Sequence, residues 1–128
     1  MIIISITAAL LAFMFIYLSL SVIKVRRSRR VAIGAGGDAV LERAMRVHAN
    51  FAEYVPFALV LLTLCALRGL PDVLLAALCA VLLLGRAVHA YGVSQDNEDF
   101  RLRVAGMMAT FGVMGVSGLA LVILAVIG

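Results

Sequence analysis

Val40-Leu-Glu-Arg-Ala-Met-Arg-Val-His-Ala-Asn-Phe-Ala-Glu53, continued by Tyr54-Val-Pro-Phe-Ala-Leu-Val-Leu-Leu-Thr-Leu-Cys-Ala-Leu67, is the stretch whose reading decides the fold. Its second half is apolar for 14 residues without a charge. At about 1.5 Å per residue that is too short to cross a hydrocarbon core of about 30 Å. Its first half carries Arg43, Arg46, Asn50 and Glu53. At roughly 100° per residue these four fall within roughly 80° of one another and form one stripe about three turns long. A spanning helix built from this stretch therefore carries the stripe into the membrane. Turning such groups toward lipid costs at least a few kcal/mol each, so they must face other helices or a wet cavity.

The rest of the chain reads the same way. Of 128 residues, 65% are hydrophobic and 14% charged, against about half and about a quarter in a soluble domain. Four apolar blocks predict helices over about 2–23, 40–67, 72–93 and 101–127, an all-α integral membrane four-helix bundle in one domain. The first block is longer than the roughly 7–15 residues of a signal-peptide core, and no positive charge precedes it, so it reads as a retained helix. Arg68-Gly-Leu-Pro-Asp72 is a short turn that makes the second and third helices an antiparallel hairpin, with Asp72 placed to cap the third. Ser94 to Asp99 is polar and acidic and makes the next turn. Gly106, Gly112, Gly115 and Gly118 offer small surfaces for close packing of the fourth helix. Cys65 and Cys79 lie inside apolar runs and match neither a disulfide framework nor a zinc site, which leaves packing as their role.

The pI of about 9.7 reflects topology rather than nucleic-acid binding. If the helices alternate, Lys24, Arg26, Arg27, Arg29, Arg30, Arg43, Arg46, Arg86, Arg101 and Arg103 share one side, and only Arg68 of the 11 basic residues lies opposite. The positive-inside rule makes the basic side cytoplasmic and puts both termini outside, in the periplasm of a bacterium.

Arg86 and His89, three residues apart, share a face of the third helix, and Arg101 and Arg103 open the fourth. All belong to the basic ends of their helices and can converge at one depth with the stripe. Five arginines, a histidine, an asparagine and a glutamate exceed what internal pairing needs. The excess positive charge should attract an anion, and the rigid guanidinium fork suits a carboxylate. His48 lies roughly 140° from the stripe and is structural or interfacial. The run from Lys24 to Arg30 reads as a topology signal and lipid-headgroup contact. Pro56 withdraws the amide that would bond the carbonyl of Ala52, which could kink the helix just beyond the stripe.

Glu42-Arg-Ala-Met-Arg-Val-His-Ala-Asn-Phe-Ala-Glu-Tyr-Val-Pro56 resembles the helix-two signature of the MAPEG family, the membrane-associated proteins in eicosanoid and glutathione metabolism. Gly85-Arg86-Ala-Val-His89 is similar to its helix-three motif, and Arg101-Leu-Arg103 to its third. The loop Gly34-Ala-Gly-Gly-Asp38 resembles that of the compact bacterial branch, which points to a bacterial inner membrane. The resemblance spans the full chain. It implies a homotrimer with three sites between neighbouring subunits, open to the cytoplasm and to lipid, with glutathione as co-substrate. Carried over, Arg46, Asn50 and Glu53 would hold the backbone and charged ends of glutathione. Arg86 and His89 would line the same pocket, and Arg103 would stabilise the thiolate. Arg101 and Tyr91 are counted with the binding set, Tyr91 lying roughly 140° around the helix from Arg86. A nearby guanidinium favours the charged form of a thiol whose free pKa is about 8.5, and the thiolate is the nucleophile. Where several family enzymes carry an arginine before the asparagine, a tyrosine four after the histidine and a serine after the last arginine, this chain has Ala49, Val93 and Val104.

The first functional reading is a glutathione-dependent transferase or peroxidase acting on lipophilic small molecules for detoxification. A non-catalytic protein that binds glutathione or lipid is the second. A small exporter is the third, and the arginine excess argues against it.

Overall fold

The computed structural model describes every residue except Asp96, Glu98 and Gly128. It consists of four helices, α1 (Ile2–Arg29), α2 (Ala39–Leu67), α3 (Asp72–Ser94) and α4 (Phe100–Ile127), with no strand among the described residues. Each is long and apolar enough to cross a membrane, and together they make a four-helix membrane bundle. The turn expected over Ser94 to Asp99 includes Asp96 and Glu98, which lie outside the described residues.

The bundle is apolar inside and out. Leu11, Phe51, Leu62, Leu75, Leu82 and Val113 are buried, while Phe13, Tyr17, Leu84, Phe111 and Leu119 face outward. Large apolar side chains over the whole outer surface are what a lipid environment allows and water does not. Hydroxyls within the helices return to their own backbone, as with Thr7 Oγ1 to the Ile3 carbonyl and Thr63 Oγ1 to the Leu59 carbonyl, both at 2.8 Å. Such bonds spare these hydroxyls from facing hydrocarbon unpaired, whereas the buried Ser117 Oγ has no partner among the described residues.

α3 packs most extensively on α4, α1 packs on α2, and α1 does not meet α4 among the described residues. The α3–α4 crossing depends on glycine. A Cβ added at Gly106 would stand 2.6 Å from the Gly85 carbonyl oxygen and 2.7 Å from the His89 amide nitrogen. One at Gly92 would stand 2.8 Å from Leu102 Cβ. Of the four α4 glycines expected to serve packing, Gly106 meets a neighbouring helix within one copy, while Gly112, Gly115 and Gly118 have nothing within 4 Å of where a Cβ would go among the described residues.

The ends of the helices follow from local chemistry. α1 runs through Arg29, well past the apolar block, so the basic run is itself helical. Asp38 caps α2 by accepting the Leu41 amide at 2.9 Å. α2 ends at Leu67, and Gly69 just beyond the cap, with φ 83°, lets Leu70 N–H reach the Cys65 carbonyl and Gly69 N–H the Ala66 carbonyl. Asp72 does not cap α3 as expected. Pro71 occupies the cap position, and Asp72 is the first helical residue, too late for its carboxylate to fold back on the first free amides. At this end Arg68 Nη2 donates to the Leu124 carbonyl at 3.1 Å and ties the hairpin turn to α4. Cys65 and Cys79 are buried and unbridged, and Cys65 Sγ contacts the Ser117 carbonyl at 3.4 Å.

Candidate functional site

Pairing antiparallel neighbours brings the start of α2, the end of α3 and the start of α4 to one end of the bundle. Between them lies a cavity of about 280 Å³ lined by Ala39, Glu42, Arg43, Arg46, Asn50, His89, Val93 and Arg103. α2 supplies most of the wall because Ala39, Glu42, Arg43, Arg46 and Asn50 recur at steps of three and four residues, which stacks them on one helical face. Among the described lining residues, three guanidinium groups accompany one carboxylate, that of Glu42.

Behind this wall lies Arg86. It is wholly buried, and its guanidinium ties three helices together. Nη2 donates to Asn50 Oδ1 at 2.7 Å, Nη1 approaches Thr110 Oγ1 at 3.4 Å and Met107 Sδ at 3.7 Å, and the group stands 5.6 Å from the centre of the Phe51 ring. Nε has no hydrogen-bond partner among the described residues. Arginine offers no acceptor, so the atom of Asn50 that meets it must be the carbonyl oxygen. The side-chain amide of Asn50 is thereby held with its acceptor spent on Arg86 and its NH₂ left for the cavity. A pocket wall that would otherwise offer both a donor and an acceptor offers donors.

His89 is also buried, and its Nδ1 lies 3.1 Å from the Arg103 backbone carbonyl. A carbonyl only accepts, so Nδ1 carries the proton there. This bond fixes the first turns of α4 against α3 and sets where the Arg103 side chain starts. Arg43 does more than reach for headgroups: it lines the cavity and its Nη1 donates to the Gln95 carbonyl, closing α2 onto the end of α3.

The residues singled out in the sequence thus divide. Arg46, Asn50, His89 and Arg103 line the cavity together, and Arg86 supports it from behind. Glu53, Arg101 and Tyr91 are not among its lining residues. Glu53 is exposed at the midpoint of α2, Arg101 is exposed beside Asn97, Asp99 and Phe100, and Tyr91 is 61% exposed on the outside of α3. Glu42, Ala39 and Val93 join the lining without having been singled out. The signal for Glu42 was present, since it precedes Arg46 by one helical turn. His48 lies on the far side of α2, bonded to Ser19 Oγ at 3.0 Å and stacked on Phe15.

A second hollow of about 240 Å³ opens between α1 and α2. Its lining, from Ala8, Leu11 and Phe15 on one side to Phe51, Val55, Pro56 and Leu59 on the other, is almost wholly apolar. Pro56 sits within an unbroken α2 and contributes its ring to this surface.

Fold and cavity together define a polytopic helical membrane protein with a donor-rich pocket at its basic end. The chain belongs to the MAPEG family, whose sequence model matches residues 4–124. It is similar to the inner membrane protein YecN of Escherichia coli (strain K12), with 38% identity over 104 residues covering 81% of this chain and 78% of that protein. The YecN of Escherichia coli O6:H1 matches with the same figures.

Proposed function

We propose that the protein is a glutathione-dependent transferase or peroxidase of the bacterial inner membrane, assembled as a homotrimer, with its pocket open to the cytoplasm. The observation that supports the chemistry most directly is the cavity lined by Arg43, Arg46, Arg103 and Asn50, with Glu42 the one carboxylate among its described lining residues. Glutathione carries two carboxylates, one ammonium and a thiol. The guanidinium forks suit the carboxylates, Glu42 suits the ammonium, and the Asn50 NH₂ suits a peptide carbonyl. Arg103, on the α4 wall, is the residue assigned to hold the thiol as thiolate, the nucleophilic form. The apolar hollow between α1 and α2 offers a lipophilic second substrate a path from the bilayer.

The trimer is supported by what α2 leaves uncovered. Arg46, Glu53, Phe57, Val60, Leu64 and Leu67 are exposed along one face of it. If the hydrocarbon-spanning part of α2 is pushed as far as possible toward Leu67, Glu53 still lies about five residues, or about 8 Å, inside the boundary. A carboxylate facing lipid there costs a few kcal/mol. Packing this face on the same face of neighbouring copies removes that cost and brings Glu53 toward a neighbour's pocket. The orientation follows from ten of 11 basic residues lying at the pocket end, and the inner membrane from the relatives' location.

Titration of the purified protein with glutathione tests the reading, followed by thermal melting and by the ultraviolet absorbance of the thiolate near neutral pH. Stabilisation together with a thiolate band that disappears in Arg103→Ala is expected. Stabilisation without the band would assign a binding protein instead, and no response at millimolar glutathione would overturn both.

A further inference from the structure

The five basic residues that close α1 have different fates. Arg26 turns back into the chain, its Nη1 donating to the carbonyls of Val31, Ala32 and Gly34 at 3.3, 3.4 and 2.8 Å. Arg29 pairs with Asp38 at 3.2 Å. Asp38 is the one carboxylate between residues 24 and 41, and its other oxygen is occupied by the cap of α2. Lys24, Arg27 and Arg30 remain exposed, with no ion pair to any described residue.

Three further features gather around these free charges. Arg27 and Arg30 face a hollow of about 370 Å³ whose other walls are Arg26, Ile23, Val31 and Ala32. Arg30 holds φ 56°, ψ 37°, a left-handed position that glycine fills at less cost. In the loop just beyond, Ile33 is 91% exposed. α1 has 28 residues, and a core of about 30 Å takes up about 20 of them. The last turns therefore stand at headgroup depth, where a soluble acidic partner would have to displace lipid.

We propose that this hollow seats the phosphate of an anionic membrane lipid between Arg27 and Arg30, with Lys24 flanking it and Ile23 and Ile33 against the lipid's glycerol and acyl region. The seat is separate from the arginine-lined pocket of α2, α3 and α4, and it does not depend on the function proposed for that pocket. Arg26 and Arg29 shape it by holding the loop in place. Arg27 and Arg30 carry the recognition.

Delipidated protein in neutral detergent is titrated with phosphatidylglycerol or phosphatidylcholine, and bound lipid is counted by native mass spectrometry. The wild type should retain phosphatidylglycerol selectively. Each basic residue near an anionic surface contributes roughly a fivefold change in affinity, so R27Q/R30Q should lose roughly twentyfold or more. The charge-matched variant R68Q/R101Q should keep the wild-type value. The melting temperature of lipid-free R27Q/R30Q should equal that of the wild type, since both side chains are exposed. Unchanged phosphatidylglycerol retention in R27Q/R30Q, or an equal loss in R68Q/R101Q, overturns the seat. Full displacement of phosphatidylglycerol by millimolar inorganic phosphate overturns the lipid as its occupant in favour of a free anion.

Discussion

Replacing Asn50 with leucine should destabilise the bundle more than removing the buried charge that Asn50 serves. Arg86 is fully buried, and its Nε has no partner among the described residues. Its contacts to Thr110 and Met107 are long, at 3.4 and 3.7 Å. Asn50 Oδ1, at 2.7 Å, is its one short acceptor among the described residues. Asn50→Leu leaves that guanidinium charged, dry and nearly unpartnered. Breaking a buried polar pair from one side costs about 3–5 kcal/mol. Because Asn50 is only half-buried and pocket water can fill in, the lower figure applies, about 3 kcal/mol.

Arg86→Met works the other way. It forfeits the contact with the Phe51 ring, about 0.5–2 kcal/mol, and removes the cost of keeping a cation dry, which is of similar or greater size. The Asn50 oxygen it abandons can turn to pocket water. Arg86→Met should therefore shift stability by no more than about 1 kcal/mol, and the double variant should resemble it. The coupling energy is then about 3 kcal/mol in magnitude, well above the average of about 0.6 kcal/mol for interhelical hydrogen bonds in membranes. Reversible unfolding in mixed micelles titrated with dodecyl sulfate, followed by circular dichroism, measures all three. Additivity within about 0.5 kcal/mol would show that Asn50 is not the partner that keeps Arg86 inside.

Other expectations follow from the same structure. Gly106→Ala should lower stability by about 1–3 kcal/mol, because its Cβ must push α3 away, whereas Gly112→Ala, with open space around it, should be neutral or gain up to about 1 kcal/mol in helix propensity; equal melting temperatures for the two would refute the crossing. Leu64→Arg on the exposed face of α2 should convert the assembly to smaller species by light scattering of the detergent complex, while Leu119→Arg on α4 should leave it intact; an unchanged mass for Leu64→Arg would remove α2 from the interface. Ser28→Cys should react with a membrane-impermeant maleimide only after right-side-out spheroplasts are permeabilised, and Asp72→Cys should react before. Cys65 and Cys79 are buried and give no background, so the reverse pattern would invert the topology.

The bundle was legible because every step of it is written in the one-dimensional pattern. Apolar runs of spanning length leave no alternative to helices, and the turn at Arg68 to Asp72 is too short for anything but a hairpin. The site was legible in part for the same reason. Arg43, Arg46 and Asn50 recur at helical spacing, His89 and Arg103 belong to the basic ends of their helices, and the resemblance of the motifs supplied the roles. What periodicity could not give is depth. It placed Arg86 and Arg103 among the residues of one pocket, yet one lies buried behind the wall and the other on it.

Glu53 poses the same problem in reverse, and it bears most on the assembly. Its spacing puts it on the stripe, roughly 60° round the helix from Asn50 and roughly 20° from Arg46, but it lies nearly a turn beyond Asn50 along α2, past the described lining of the cavity between α2, α3 and α4. Within one copy the carboxylate makes no hydrogen bond or ion pair among the described residues. The apolar residues below it on the same face, Phe57, Val60, Leu64 and Leu67, are exposed as well. In water such a face would be covered for its apolar area. In lipid, which solvates leucine as well as protein does, that drive is absent. Only the charge gives the bundle a reason to cover this face. Glu53→Leu should therefore weaken the proposed homotrimer, because it makes a separated subunit comfortable in lipid. The proportion of dissociated subunits at a fixed detergent-to-protein ratio should rise in Glu53→Leu and stay at the wild-type level in Glu42→Leu, whose carboxylate lies at the mouth of the pocket. An assembly equally tight in Glu53→Leu would mean that something other than the buried charge holds the copies together.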